Sequence, residues 1–305
     1  MAGVPPGFAF RGPGLDRAEL LRDDPAGLDA RWPGARVLVV DAEGQARFPP
    51  PARETAPATG AEAQPEDVVQ GGASLFAQRP PQASLLGLEG DTAWFVLPHE
   101  ALAAELPGRL GLREAAAGWP ALPAAALAQA RALVHWQLRH RFCGACGGPV
   151  QLTRAGYCGK CTGCGLEHYP RTDPAVIVAV SDGPRLLLGR QSTWPAGRWS
   201  VLAGFVEPGE SLEQAIAREV MEEAAVPVRS TRYAASQPWP FPGSLMVGFH
   251  AVGEPVEPRV SDELEQARWF TKAELEAAVA AGELKLSPRL SIARSLIEEW
   301  LAQQG

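Results

Sequence analysis

No stretch of the 305 residues approaches 18 consecutive apolar positions, which excludes an ordinary membrane-spanning helix. The opening MAGVPPGFAFRG has no basic segment followed by an apolar one, so no secretory signal is expected. The ending AQQG is not a peroxisomal address. Positive charge is in short supply: 28 Lys and Arg stand against 35 Asp and Glu, a net charge of -7. Bulk attraction to nucleic acid is therefore not expected, although a defined pocket could still take an RNA end. Cysteine is absent outside residues 143–164, where all five fall. That distribution argues against a disulfide framework and for a local metal site. A soluble, cytoplasmic protein is the expectation.

What remains is ordinary globular material. Apolar residues make up 46% and charged residues 21%, and the length suits about two domains plus a small module. Along the first half, residues 15–22 read as a short helix. Residues 36–41 read as a strand that turns at Glu43-Gly44 and returns towards Phe48. Residues 49–66, rich in Pro and Ala, read as a surface loop. Residues 83–88 and 92–97 flank Glu89-Gly90-Asp91, a hairpin signal. Residues 112–116, Leu-Arg-Glu-Ala-Ala, follow. Leu127, Ala130, Val134 and Leu138 then keep the spacing of a helix over residues 123–140.

The cysteines come next. Cys143-x-x-Cys146-Gly and Cys161-x-x-Cys164-Gly are separated by 14 residues. Two such knuckles form a zinc-ribbon signal, and four thiolates with no open position make a structural rather than catalytic site. The glycines permit the tight turns that aim backbone N–H groups at sulfur. Cys158 also forms a C-x-x-C pair with Cys161. Only the 161/164 pair repeats the glycine-tailed knuckle, so Cys158 is read as a spare thiol. A nucleic-acid-binding ribbon is the alternative, and the acidic chain weighs against it.

The second half is organised around residues 204–226, GFVEPGESLEQAIAREVMEEAAV. Ser211 and Gln214 form a capping box, and Pro227 ends the helix. Leu212, Ala215 and Ile216 open an inward stripe that should continue at 219, 220, 223 and 224. Glu219 and Glu223 occupy that stripe, with Glu222 alongside. Acids there oppose the helix dipole and repel one another. A solvated acidic face would not place them on the buried side. A divalent cation would, and oxygen-only ligands favour Mg²⁺ or Mn²⁺. An apolar strand at residues 175–180 and another at 199–203 lead into this element.

Gly204, Glu210, Arg218-Glu219-Val220 and Glu222-Glu223 in this spacing resemble the Nudix box, with Ala225 where that family has a late glycine. Further on, SQPWPFPGS (residues 236–244), read as a rigid extended loop, resembles the array that marks NADH pyrophosphatases among Nudix enzymes. The resemblance implies an α+β chain. A degenerate, non-catalytic Nudix-like domain (1–138) and a zinc ribbon (139–169) would precede a catalytic Nudix α/β/α sandwich (170–302). In the first half Arg113-Glu114 is followed by Ala115, Ala116 and Ala117, so no acid cluster is expected there.

The resemblance also implies an activity: divalent-metal-dependent hydrolysis of NADH or NAD⁺ to NMN(H) and AMP, and removal of NAD caps from RNA 5′ ends. The implied metal ligands are Glu219, Glu222, Glu223 and Glu263, the last just before the Ala-x-Trp-Phe strand, with Glu265 as its competitor. Arg218 would orient Glu222, and Glu210 would steady the loop–helix junction. Phe205, Gln237 and Ala293 would line the substrate pocket. Tyr169 would be lent by the other subunit of a homodimer. The alternatives are the same chemistry on ADP-ribose or a diadenosine polyphosphate, and an inactive, RNA-binding relative.

Overall fold

The computed structural model describes residues 8–10, 14–50, 63–260 and 262–304. The expected loop at 49–66 therefore falls mostly outside the described residues. Two compact units emerge: Ala9–Thr172 with Pro240–Gly243, and Asp173–Trp239 with Ser244–Gly305 and Phe8.

In the unit that carries the ribbon, Asp24 caps α1 (Pro25–Arg31) by accepting from the Gly27 N–H. Sequence patterning placed a helix only before this point, where the structure has a 3₁₀ turn, Glu19–Asp23. Next come β1 (Arg36–Val40), β2 (Ala46–Phe48), α2 (Pro65–Val68), β3 (Gln70–Gly71) and α3 (Gly72–Leu75). The predicted hairpin is β4 (Ser84–Glu89) and β5 (Thr92–Pro98), followed by β6 (Gly108–Leu110), α4 (Leu112–Gly118) and α5 (Ala121–Arg139). The strands form one sheet in the order β4-β5-β1-β2-β6, with β3 also paired to β1. Its two faces are covered by separate apolar clusters, one built on Leu38, Trp94 and Leu127, the other on Trp32, Val37 and Phe95. The ribbon follows as a three-stranded sheet: β7 (Val150–Thr153), β8 (Cys158–Cys161) and β9 (Glu167–His168).

The other unit contains β10 (Asp173–Ser181), β11 (Arg185–Arg190), β12 (Arg198–Trp199), β13 (Leu202–Phe205), α6 (Leu212–Ala224), β14 (Val228–Trp239), β15 (Ser244–Gly253), β16 (Gln266–Thr271), α7 (Lys272–Ala280), β17 (Lys285–Leu286) and α8 (Ile292–Gln303). Its main sheet runs β14-β15-β10-β11-β16, with β13 also on β10. The continuous apolar run in β10 has the expected cause. Val176, Val178 and Val180 pack with α6, whereas Ile177 and Ala179 pack with α8 on the other face.

The two sheets share strand order, and β1/β5 and β10/β15 are their parallel pairs. The counterpart of α6 is α3, which also follows the strand added to the sheet's central strand. It is four residues long and reads Gly-Ala-Ser-Leu. Arg113-Glu114 lies on α4, after the last strand, so comparing that pair with the acid-rich helix matched the wrong elements. The missing acids are explained by α3 instead.

A second difference concerns residues 236–239. They are not loop but the end of the long strand β14, paired through Trp239 with Ser244. Pro238 is tolerated because β14 is an edge strand, where a missing N–H breaks no inner ladder. The predicted strand at 199–203 is likewise split between β12 and β13.

Candidate active site on the acid-rich helix

Ser211 caps α6 as predicted. Its hydroxyl accepts from the Gln214 N–H at 3.2 Å, and the Gln214 side chain accepts from the Ser211 N–H at 2.8 Å. The inward stripe is Ala215, Ile216, Glu219, Val220, Glu223 and Ala224. Two acids therefore sit on the buried face, Glu219 at 9% exposure and Glu223 at 4%. Glu222, read as lying alongside the stripe, is exposed on the flank and is reached by Arg218 across one turn.

The helix exit is also resolved. Ala225 adopts the left-handed conformation, φ 53° and ψ 33°, and its N–H reaches the Met221 carbonyl at 2.9 Å. The backbone keeps the turn a glycine would favour, at the cost of a Cβ in the αL region. Ala225→Gly is expected to raise stability by about 0.5–1 kcal/mol, seen as an upward shift of the melting temperature by roughly 1–2 °C. A lower melting temperature in that variant would contradict the strain argument.

Arg218 is the hub of the element. It donates to both carboxylate oxygens of Glu210, from Nε at 2.6 Å and Nη2 at 2.9 Å. Nη1 reaches Glu219 at 2.9 Å and Glu222 at 3.0 Å, and Nη2 reaches the Phe205 carbonyl at 2.9 Å. A planar fork can serve this many acceptors at once; a lysine could not. The Arg218 guanidinium and the Glu207 N–H hold the Glu210 carboxyl down to about 2. Glu210 thus clamps the loop to the helix, as its position suggested.

The β13 register explains Gly204. It lies opposite Val176, and a Cβ there would come within 1.8 Å of the Glu219 carboxyl carbon. The absence of a side chain is what lets Glu219 lie against the strand. Burial raises the affinity of Glu219 for a proton, and Arg218 opposes the shift. Glu223 is more extreme. Burial, then the neighbouring charges of Glu219 and Glu263, push its carboxyl up to about 8. Its Oε2 is buried and finds no hydrogen-bond partner among the described residues.

Glu263 is an exposed loop residue whose charge acts on both Glu219 and Glu223. Its competitor Glu265 is engaged elsewhere, accepting from Arg190 Nε at 2.7 Å. The charges of Glu219 and Glu263 both act on Glu223, with Glu222 at the rim, but among the described residues only the four ribbon cysteines already bring three or more ligand atoms within 4.8 Å of one another. These acids fit a hard divalent cation: the donors are all carboxylate oxygens, one is a buried orphan, and no described cation but Arg218 pairs with them.

The substrate-side residues fall into distinct places. Phe205 ends β13 and is 60% exposed. Gln237 is fully buried; its Nε2 donates to the Leu290 carbonyl at 2.7 Å and its Oε1 accepts from the Ile292 N–H at 2.8 Å. That amide pins β14 to the start of α8. Gln237 and the buried Ala293 line one cavity of about 150 Å³, together with Ile177, Trp239 and Met246. Trp194 and Arg198 line it too. Sequence reading missed both, because they come from the irregular TWPAGR segment, which has no periodicity to mark its inward side. In the other unit, Tyr169 is exposed and its hydroxyl donates to Glu167 at 2.5 Å.

The ribbon cysteines meet as their spacing required. The Sγ atoms of Cys143, Cys146, Cys161 and Cys164 all lie within 4.8 Å of one another. Backbone N–H groups of Ala145, Gly148, Gly163 and Cys164 point at these sulfurs at 3.3–3.4 Å. The Cys164 and Gly163 N–H groups hold the Cys161 thiol down to about 6. Cys158 is buried and outside the cluster. Four thiolates in this arrangement fit a structural Zn²⁺.

Residues 138–169 match the NADH pyrophosphatase zinc ribbon domain and residues 171–290 match the NUDIX domain. The chain is 40% identical to the NAD-capped RNA hydrolase NudC of Mycobacterium bovis, over 95% of this chain and 93% of that protein. The chain belongs to the NudC family of Nudix hydrolases. The NAD-capped RNA hydrolase NudC of Stutzerimonas stutzeri is 47% identical over 55% of this chain and 59% of its own length. The NAD-capped RNA hydrolase NUDT12 of Macaca fascicularis is 38% identical over 70% of this chain and 51% of its own. Membership of this family fits both halves of the geometry: an acid-rich helix with two buried carboxylates and a four-cysteine ribbon.

Proposed function

We propose that the protein hydrolyses the pyrophosphate bond of NAD(H) to give NMN(H) and AMP, and removes NAD caps from RNA 5′ ends by the same cut. The observation that carries this reading is Glu223, a buried carboxylate with an orphan oxygen beside Glu219 and Glu263, in a chain 40% identical to an NAD-capped RNA hydrolase.

Glu219, Glu222, Glu223 and Glu263 would hold Mg²⁺ or Mn²⁺, which when bound shields a polyanionic pyrophosphate and acidifies a water. The chain's own residues do the rest. A carboxylate of this set accepts the proton of the attacking water. Arg218, anchored by Glu210, is a positioning residue that keeps Glu219 and Glu222 in place. Phe205 offers an exposed ring for stacking, and the cavity at Gln237 and Ala293 receives one ring of the dinucleotide. Tyr169 would serve a second copy's site in a homodimer.

The division into a degenerate Nudix-like domain (1–138), ribbon (139–169) and catalytic domain (170–302) belongs to the same proposal. The shared strand order and the acid-free α3 support it. No helix among the described residues is long and apolar enough to cross a membrane, and a cytoplasmic site of action is proposed with it.

Substrate ranking tests the choice of dinucleotide. With Mg²⁺ or Mn²⁺, kcat/KM for NADH is expected to exceed that for ADP-ribose and for diadenosine polyphosphates by at least about tenfold. A preference for either of the latter would replace the substrate assignment and leave the chemistry intact.

A further inference from the structure

The cavity at Gln237 and Ala293 has a charge that the reaction as described does not use. Arg198 opens β12 and is the sole charged residue lining that cavity among the described residues. Its guanidinium carbon lies 5.4 Å from the centroid of the Trp194 ring, another wall residue. Its Nε is buried and has no hydrogen-bond partner among the described residues.

The other polar groups of the wall are engaged. Gln237 is bonded to the backbone at Leu290 and Ile292. The Ser291 hydroxyl accepts from the Ala293 N–H at 3.2 Å, and the Ser200 and Ser287 hydroxyls meet at 3.4 Å. Arg198 therefore brings a positive charge to the cavity wall, with no ion-pair partner among the described residues.

We propose that Arg198 makes this cavity select its occupant by ring charge, favouring the neutral dihydronicotinamide of NADH over the cationic pyridinium of NAD⁺. The proposal rests on the NAD(H) pyrophosphatase reading above. The two rings carry the same carboxamide, so any hydrogen bond from Arg198 to its oxygen is available to both and cancels in the comparison. The charge does not cancel. Two unit positive charges about 6 Å apart repel enough to change relative affinity by about threefold in a water-like medium and about a hundredfold at an effective dielectric of 20. Adenine is identical in NADH and NAD⁺, so a cavity filled by adenine would show no such selection.

The test compares kcat/KM for NADH and NAD⁺ in the wild type, Arg198→Met and Arg198→Lys. Arg198→Met is expected to lower the NADH:NAD⁺ ratio at least about fivefold, with the change in KM rather than kcat. Arg198→Lys, which keeps the charge, should hold the ratio within about twofold of wild type. Equal losses on both substrates in Arg198→Met would show that Arg198 only packs on Trp194, and would overturn the proposal.

A second measurement needs no variant. NMNH should inhibit the wild type more strongly than NMN⁺, and equal inhibition constants would overturn the assignment. Failure of the wild type to cleave either dinucleotide would instead refute the underlying function, and the proposal with it.

Discussion

Glu223→Gln is expected to lower turnover of NADH by roughly 10³-fold or more while leaving the fold intact. The variant keeps the shape of the side chain and removes the charge that a divalent ion needs as a ligand. A stability readout separates this from general damage. In the metal-free protein the Glu223 carboxyl sits near 8, above its ordinary 4.5. Between those two values the unfolded chain has released the proton and the folded chain retains it. The contribution is therefore favourable at low pH and is lost as pH rises from about 4.5 to about 8. On the order of 4 kcal/mol is at stake, because the side chain is only 4% exposed. Metal-free Glu223→Gln should be more stable than the metal-free wild type at pH 8, with a flatter pH dependence. A destabilised variant would mean that Glu223 is a structural acid and not a site held ready for a cation.

The second large effect lies in the ribbon. Removing zinc with a strong chelator, or replacing Cys161 by Ser, is expected to unfold residues 138–169. Binding free energies of structural zinc, about 10–16 kcal/mol in small zinc domains, are folding free energies. Atomic absorption should find about one zinc per chain in the wild type and much less than one in Cys161→Ser. Cys158→Ser should keep the full zinc content, because Cys158 lies outside the four-sulfur cluster. Loss of zinc in Cys158→Ser, with retention in Cys161→Ser, would reverse the ligand assignment.

How much of this was legible beforehand depends on whether local rules governed each residue. The capping box, the buried stripe through Glu219 and Glu223, and the four-cysteine cluster follow from spacing alone. All three stand as expected. The pairing of Glu222 with Arg218 one turn away was also legible from spacing, and a step of three residues from Glu219 sets it at the exposed edge of the buried arc. The conformation of Ala225 was not readable from its identity, because alanine disfavours positive φ. Tertiary packing of α6 overrides that preference. The role of Gln237 required knowing that β14 passes the start of α8, a contact across 55 residues. Arg198 and Trp194 required the cavity itself. Strand order in the first unit corrected the helix comparison, since α3 is too short to announce itself in a sequence.

One reaction tests the assigned chemistry most directly. Purified protein is incubated with NADH and either Mg²⁺ or Mn²⁺, beside Glu223→Gln, and the products are separated by chromatography. The wild type should release NMNH and AMP in equal amounts, only when the metal is present, and the variant should release almost none. No NMNH and AMP with either metal, or equal rates in wild type and variant, would contradict it.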